Sequence, residues 1–328
     1  MSYRDPNYIG YYMRYKCVVS YDGSNYSGFQ SQHNAHSIQD EIERVISKIL
    51  NQPTKIVAAG RTDAKVHAYG QVFHFDSDKE ISIYKFKYAI NGLLPKDIHI
   101  EQMEITDQLF HARFCVKAKQ YDYLIKMGNY DVFYRNYALY EKHELDIELM
   151  KEASLIFIGT HDFTSFNASP LDEYPDQVRC IYDIRFSMEN DLLRISFIGE
   201  GFLRYMVRML TGCLLEVGKH HMSINDVKKI LDAKDKKIFR HNVIGNGLYL
   251  MHIDYFKMFY DGNNFIIREY LDKDDISLKD MKIIASRCDN RAVGYIKNDQ
   301  VYWLIEDQKI IDEYNNEINF SIIFNSKK

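Results

Sequence analysis

Two hydrophobic spacings alternate along the first 255 residues, and this alternation constrains the fold more than any other feature of the sequence. Residues 15–21 form a run rich in Val and Tyr, which is typical of a strand. From Ser37 to Leu50, apolar residues recur every three or four positions, which predicts a helix with Ser37 as its N-cap and residues 51–53 (Asn-Gln-Pro) as its end. Residues 72–76 alternate like a half-buried strand, and residues 85–93 return to helical spacing. Strands and helices are therefore expected to interleave.

The second half of the sequence continues this pattern up to about residue 257, after which the composition and spacing of the segments change. Its predicted strands are residues 113–126, 180–188, 192–198 and 248–255, and its predicted helices are residues 145–157 and 201–217. Gly218 is interpreted as the C-terminal stop of the last helix. Beyond residue 257, the runs 293–296 and 301–305 flank a turn composition and predict a hairpin, and residues 318–324 are a further candidate strand.

Composition limits the possible function classes. No window approaches the ~20 consecutive apolar residues of a membrane span, and the polar N-terminus has no apolar core of a signal peptide. The five cysteines are scattered without a CxxC pair, which argues against a zinc site or disulfide framework and favours a reducing cytoplasm. The net charge of -4 argues mildly against a nucleic-acid binder, although a local basic cleft can lie within an acidic molecule.

Residues 60–68, with the sequence GRTDAKVHA, are the sharpest local feature. A short apolar run ends at Gly60, and Arg61 and Asp63 follow at once. Taken alone, an Arg-x-Asp turn is usually a surface ion pair or a cap, so this segment does not by itself indicate a function.

A second candidate segment combines cations with aromatic rings. Arg113, Lys117 and Lys119 fall at odd positions, so in an extended strand they share one face with Tyr121. Such a face suits an RNA cleft, because cations contact phosphate while rings stack on unpaired bases. A solvated amphipathic strand explains the same pattern equally well.

A third segment is GFLRYMVR at residues 201–208. Arg204 and Arg208 are four residues apart, so in a helix they share the face away from the apolar stripe. A solvated polar face is the usual explanation for such spacing.

Together these segments resemble the TruA family of tRNA pseudouridine synthases over residues 15–255. The matching segments, in chain order, are YDGS (21–24), GFQ (28–30), GRTDA (60–64), VHA (66–68), ARF (112–114), YDY (121–123), GTHDFTSF (159–166), GF (201–202), MVR (206–208), LEVG (215–218) and GLYL (247–250). So many matches in the same order make the resemblance highly specific.

The resemblance implies an α+β fold. It predicts two similar domains with mostly antiparallel sheets, flanked by helices, around a central RNA-binding cleft. The domains are expected at residues 14–110 and 111–256. Residues 257–328 have no counterpart in the typical family member and are interpreted as a small appended α/β element of unknown role.

The resemblance also implies an isomerase that converts uridine to pseudouridine at positions 38, 39 and 40 of the tRNA anticodon stem-loop. The family acts as a homodimer, and the redox-neutral reaction requires neither metal nor organic cofactor. The family nucleophile corresponds to Asp63, its active-site tyrosine to Tyr121, and its Met-Val-Arg arginine to Arg208. The residues expected to contact RNA are Arg61, Lys65, Arg113, Lys117, Lys119 and Arg204.

Physical chemistry adds expectations about this catalytic set. A carboxylate must be ionised to attack, so we expect a buried Asp63–Arg208 pair in which the pKa of Asp63 is depressed. The target base must be flipped out of its stack, where Tyr121 can stack on it and offer its hydroxyl for proton transfer at C5.

Three departures from the family pattern carry expectations of their own. Lys65 replaces a glycine, which implies mild strain if that position has a positive φ, or an added phosphate contact. Residues 243–246 replace a proline pair, which predicts a more flexible loop. Asp122 replaces a basic residue, which predicts weaker RNA affinity.

Two other functions remain open from the sequence. One is a non-catalytic RNA-binding or chaperone protein with the same fold, and the other is a synthase acting on a different RNA. The joint presence of Asp63, Tyr121 and Arg208 favours catalysis, because a pure binder would not need all three.

Overall fold

The computed structural model of the protein describes residues 12–255 except 80, 107–109 and 173, together with the backbone of short strands between residues 258 and 318. The chain divides into two compact units. The first contains residues 1–108 and 118–253, and the second contains residues 109–117 and 254–328.

Strands and helices interleave as predicted. The strands through residue 255 are β1 (Met13–Tyr21), β2 (Val57–Ala58), β3 (His67–Ser77), β4 (Ile98–Thr106), β5 (Val116–Lys126), β6 (Leu139–Tyr140), β7 (Gly159–Asp162), β8 (Val178–Glu189), β9 (Leu192–Gly199) and β10 (Leu248–Tyr255). The α-helices are α1 (Ile38–Leu50), α2 (Ile83–Leu93), α3 (Ile147–Ser154), α4 (Met206–Gly218) and α5 (Ile224–Ala233).

Within the described residues, these ten strands form one sheet in the order β4-β1-β3-β10-β5-β9-β8-β7, with β2 paired to β3 and β6 paired to β5. The pairs β3–β10 and β5–β6 are parallel, while β1–β3, β1–β4, β2–β3, β5–β9, β7–β8 and β8–β9 are antiparallel. An α+β fold with a mostly antiparallel sheet is therefore confirmed. The boundaries 14–110, 111–256 and 257–328 stay a prediction.

The central strand β3 is more deeply buried than the sequence predicts. His74 is only 3% exposed, and its neighbours Val72, Phe73 and Phe75 are also buried, so both faces of the strand are covered. The half-buried strand predicted for residues 72–76 is therefore wrong, because consecutive side chains, which point to opposite faces of the sheet, are buried.

Helix α1 confirms the expected start and stop signals. The Ser37 hydroxyl accepts a hydrogen bond from the Asp40 backbone N–H at 3.1 Å, which satisfies one of the unpaired donors of the first turn. The helix ends at Asn51, whose φ of 52° is left-handed. Ile42 and Ile46 of its apolar stripe are fully buried.

Helix α4 begins five residues later than predicted, at Met206 rather than residue 201. The chain enters it through Tyr205, whose φ of 62° is left-handed and does not belong to a helix. Gly218 also differs from its predicted role, because it is the last helical residue rather than a left-handed stop. A Cβ at Gly218 would lie 2.6 Å from the Met150 sulfur, so its lack of a side chain allows α4 to pack closely on α3.

In the C-terminal tail, residues 257–328, the predicted hairpin is confirmed. Among the described residues after 257 there are seven short strands, namely β11 (Met258–Tyr260), β12 (Phe265–Ile267), β13 (Met281–Ile283), β14 (Val293–Lys297), β15 (Gln300–Ile305), β16 (Lys309–Asp312) and β17 (Glu317–Ile318). Strands β14 and β15 pair antiparallel, with Lys297 opposite Gln300. Of the candidate strand 318–324, only Ile318 lies within the described residues.

No described helix combines the length and the apolar character needed to cross a bilayer.

Candidate active site

The loop between β2 and β3 carries Asp63 and is held by hydrogen bonds on both sides. The Phe29 backbone N–H donates to the Thr62 carbonyl at 3.1 Å, and the Val66 N–H donates to the Asp63 carbonyl at 3.2 Å. The Thr62 hydroxyl also shares a buried 2.7 Å hydrogen bond with the Tyr21 hydroxyl. Asp63 is therefore presented from a loop whose backbone is fixed.

Glycines from two distant segments allow this close packing. Gly28 has a φ of 109°, and a Cβ there would lie 2.7 Å from the Thr62 carbonyl oxygen. A Cβ at Gly245 would lie 2.5 Å from the Ala64 carbonyl oxygen. Both separations are shorter than real Cβ atoms tolerate, so the loop around Asp63 requires glycine at both positions.

Gly28→Ala is expected to lower the free energy of unfolding by about 2–3 kcal/mol, because it adds both a steric conflict and an unfavourable φ. Gly92→Ala is the matched control, since a Cβ at Gly92 in α2 meets nothing within 4 Å. It should raise the free energy of unfolding by roughly 0.5–1 kcal/mol, because alanine favours helix. Urea denaturation measures both values, and equal stability of the two variants would contradict this account of the loop.

Arg208 contacts Asp63 as predicted. Its Nη1 lies 3.3 Å from Asp63 Oδ2, and its Nε donates to the Val243 carbonyl at 2.7 Å. The Asp63 side chain is 25% exposed and the Arg208 side chain 13% exposed, so the pair is half-buried rather than buried. The guanidinium is held at both ends, which fixes the edge that it presents to the carboxylate.

The pKa of Asp63 differs in direction from the prediction. Burial raises the pKa of the carboxyl above its ordinary value, and the nearby charges of Arg208 and Arg204 only partly oppose this rise. The expected depressed pKa is therefore wrong, because desolvation outweighs the guanidinium contact. The carboxylate at this site is destabilised relative to one in water.

Tyr121 lies in the same site on strand β5. Its side chain is 8% exposed, and its ring packs edge-on against Phe202 with ring centroids 5.4 Å apart. Burial raises the pKa of its hydroxyl far above the ordinary value, and the charges of Tyr21 and Asp63 add to the rise. The phenol therefore stays protonated and can act as a donor, while a tyrosinate base is strongly disfavoured.

Two of the predicted RNA contacts, Arg61 and Lys65, lie exposed on the Asp63 loop. Lys65 has a φ of 65°, so the strain expected for a lysine in place of glycine is present. Lys119 contacts the start of this loop, because its ammonium donates to the carbonyl of Ala59, the first residue after β2, at 2.8 Å.

Of the three remaining predicted RNA contacts, Lys117 lies in β5 with Lys119 and Tyr121 as expected, whereas Arg113 and Arg204 are placed differently. Arg113 lies in a turn before β5, so it does not belong to the strand face predicted for Lys119 and Tyr121. Arg113 and Lys117 both belong to the second unit. Arg204 precedes α4 and so does not share a helix face with Arg208, although both guanidiniums lie close to the Tyr205 ring.

His67 has a structural role in the site that is not predicted from the sequence. Its Nε2 lies 3.1 Å from the Asn246 carbonyl, so it carries the proton, and its Nδ1 accepts from the Gly23 N–H at 3.2 Å. Burial lowers the pKa of His67 despite the nearby carboxylate of Asp22, which favours the neutral ring. The VHA motif was visible, but it could not indicate which loops this imidazole joins.

The loop at residues 243–246, predicted to be more flexible, accepts side-chain hydrogen bonds at two of its carbonyls. The Tyr123 hydroxyl donates to the Ile244 carbonyl at 2.7 Å, and Arg208 Nε occupies the Val243 carbonyl. These side-chain bonds restrain two carbonyls of the loop, and its greater flexibility stays a prediction.

Asp122 lies on the opposite face of β5 from Tyr121, because side chains alternate along a strand. Its carboxylate accepts from Arg194 Nη1 at 2.6 Å and from Gln120 Nε2 at 2.9 Å. The charge is therefore paired and directed away from Tyr121, and the expected effect of Asp122 on RNA affinity stays a prediction.

Comparison with known proteins identifies the family. A sequence model described as tRNA pseudouridine synthase matches residues 17–115 and 153–256. The tRNA pseudouridine synthase A of an Exiguobacterium strain is 42% identical over 245 residues, covering 75% of this chain and 99% of that protein. The chain belongs to the tRNA pseudouridine synthase family. Proteins of the same name from Bacillus subtilis and Listeria monocytogenes serotype 4b are 42% and 45% identical over 246 residues, each covering 74% of this chain and 99% of that protein.

Membership in the tRNA pseudouridine synthase family confirms the TruA resemblance and makes the chain an isomerase. The family match ends at residue 256, so the tail lies outside it. Among solved structures, a Cbf5-Nop10-Gar1 complex aligns with a TM-score of 0.27 and 14% identity over 72% of this chain and 57% of that chain, a likeness too low to bear on the site.

Proposed function

We propose that this synthase converts uridine to pseudouridine at positions 38, 39 and 40 of the tRNA anticodon stem-loop, with Asp63 as the nucleophile. The observation that carries the proposal is the 3.3 Å contact between Arg208 Nη1 and Asp63 Oδ2. Tyr121 belongs to the same site, because the charge of Asp63 contributes to the raised pKa of its buried hydroxyl. In the proposed mechanism the carboxylate attacks the nucleotide, the guanidinium favours the ionised carboxylate, and the aromatic ring stacks on the flipped base.

The reaction is an exchange of bonds within one nucleotide. The N1–C1′ bond of uridine breaks, a C5–C1′ bond forms, the proton on C5 is lost and N1 gains a proton. Every side of the uracil must be reachable, so the nucleotide is flipped out of the stem-loop at a cost of about a few kcal/mol. Asp63 attacks to detach the base, and its carboxylate is released when the base reattaches.

Arg208 and Tyr121 have separate roles in this scheme. Arg208 opposes the rise that burial imposes on the pKa of Asp63 and keeps a larger fraction of the nucleophile ionised. Tyr121 stacks on the flipped base. Because burial keeps its hydroxyl protonated, Tyr121 can donate a proton or a hydrogen bond near C5, but it is poorly suited to remove a proton as tyrosinate.

RNA binding in this proposal depends on cations around the Asp63 loop. Arg61 and Lys65 are exposed on that loop, which supports a role for them in contacting phosphate. Arg204 contributes near Asp63, since its charge reaches the carboxyl. Contacts from Arg113, Lys117 and Lys119, assembly as a homodimer and a cytoplasmic location are further parts of the proposal.

Pseudouridine mapping of tRNA from cells with and without the gene tests the substrate assignment. We expect pseudouridine at positions 38, 39 and 40 to disappear in the deletion strain and to return when the parent protein, but not Asp63→Ala, is expressed. An unchanged anticodon arm together with loss of pseudouridine from another RNA would contradict the tRNA assignment.

A further inference from the structure

Tyr205 has an unusual backbone conformation beside the proposed nucleophile. It is the N-cap of α4, with a φ of 62° and a ψ of 2°. A bulky aromatic residue rarely adopts this left-handed region, because its Cβ crowds the following carbonyl. Such residues persist only where the surrounding structure holds them, and they concentrate at functional sites.

The backbone around Tyr205 is fixed on both sides. The Arg204 N–H donates to the Ser169 hydroxyl at 3.2 Å, and the Ala168 N–H donates to the Arg204 carbonyl at 2.9 Å. On the helical side, the Met209 N–H donates to the Tyr205 carbonyl at 2.9 Å. These hydrogen bonds determine where the Tyr205 ring is placed.

The ring of Tyr205 lies against two cations of the site. The Cζ of Arg204 is 4.8 Å from the ring centroid and the Cζ of Arg208 is 4.6 Å from it, both within the range of cation–π attraction. Arg204 Nη2 also donates to the Tyr205 hydroxyl at 3.2 Å. One aromatic ring therefore contacts both arginines whose charges act on Asp63.

Arg208 needs such support because of its position in the helix. It is the third residue of α4, where the helix dipole presents partial positive charge and repels a cation. The face of an aromatic ring is partly negative and offsets this repulsion. The Val243 carbonyl holds one edge of the guanidinium, and the ring restricts the rest.

We propose that Tyr205 is a positioning residue for the isomerisation. Its ring holds the Arg208 guanidinium in contact with the Asp63 carboxylate and keeps Arg204 beside them. The proposal rests on the proposed role of Asp63 as nucleophile.

The test compares ringless and ring-retaining variants of the full chain with a tRNA substrate. Tyr205→Asn and Tyr205→Gly remove the ring but accept a left-handed φ, so both should fold with a melting temperature at or above that of the parent. Both should lower the single-turnover rate at saturating enzyme by roughly 3- to 30-fold, the span of a lost cation–π contact. They should also move the acid limb of kcat/KM to higher pH, while Tyr205→Phe keeps the parent rate within about 2-fold.

Three results would overturn the positioning role. They are a parental rate and pH profile in both ringless variants, an equal loss of rate in Tyr205→Phe, or weaker tRNA binding with an unchanged rate at saturation, which would make Tyr205 an RNA contact instead. Asp63→Asn, assayed in parallel, separates this inference from the function itself. If Asp63→Asn stays active, the proposed function fails; if it is inactive while the Tyr205 variants match the parent, only the positioning role fails.

Discussion

Asp63→Asn should reduce pseudouridine formation by at least about 10⁴-fold, because an amide cannot replace a carboxylate nucleophile. Binding of tRNA should remain within a few-fold of the parent value, since the basic side chains around the loop are unchanged. Release of tritium from tRNA labelled at C5 of uridine measures the reaction, because the C5 proton is lost in every turnover. A filter-binding titration with the same tRNA measures affinity.

Asp63→Asn is expected to preserve or increase stability although it abolishes activity. The folded-state pKa of Asp63 is raised, so the stability linked to this group is present below the unfolded pKa and is lost as the pH rises through the folded value. At neutral pH the ionised carboxylate therefore opposes folding, and Asp63→Asn should melt at or above the parent temperature. This advantage should disappear below the ordinary pKa of an aspartate.

Asp183→Asn is the matched control for Asp63→Asn. Asp183 is an exposed strand residue paired with Arg185 at 2.6 Å, so the same chemical change occurs away from the loop. It should retain parental activity. Activity in Asp63→Asn above one hundredth of the parent would rule out Asp63 as the nucleophile.

Arg208→Met should lower kcat/KM at neutral pH by roughly 10- to 100-fold, the equivalent of one lost charge-assisted hydrogen bond. It should also change the pH profile in a defined direction. Arg208 lowers the pKa of Asp63 against the effect of burial, so its removal lets that pKa rise further. The acid limb of kcat/KM should therefore move to higher pH, and part of the lost rate should return as the pH is raised.

Arg44→Met provides the control for Arg208→Met. Arg44 pairs with Glu41 at 2.6 Å on an exposed face of α1, so its removal changes the net charge equally without reaching the Asp63 loop. Its kcat/KM and pH profile should match those of the parent. A loss in Arg208→Met that is identical at every pH would show that Arg208 does not act through the ionisation of Asp63.

The sequence predicted the elements whose signals are local. Helix α1 was found with its cap because Ser37, the apolar stripe and Asn51 all lie within one segment. The start of α4 was missed because helical spacing continues back through residues 201–205, while the left-handed turn at Tyr205 has no signature in a residue type that rarely adopts it. The burial of both faces of β3 could not be predicted, because it depends on packing in three dimensions and not on the spacing of residues within the strand.

In the candidate site, too, features that depend on three-dimensional packing could not be predicted from local sequence patterns. The contact between Asp63 and Arg208 was predicted through the family resemblance, across a separation that no local pattern spans. The direction of the Asp63 pKa could not be predicted, because it depends on the balance between burial and the guanidinium, which only the three-dimensional arrangement sets. The paired state of Asp122 likewise depends on Arg194 from a separate strand.

The most direct test of the central claim compares two titrations of the parent protein. The acid limb of kcat/KM reports the pKa of an essential group in the free enzyme, and NMR of protein labelled at aspartate carboxyl carbons reports the pKa of Asp63 itself, assigned with Asp63→Asn. We predict that both midpoints coincide, lie above the ordinary aspartate value of 3.8 and rise together in Arg208→Met. Midpoints that differ by more than about one unit, or a rate that does not follow the ionisation of Asp63, would contradict the account.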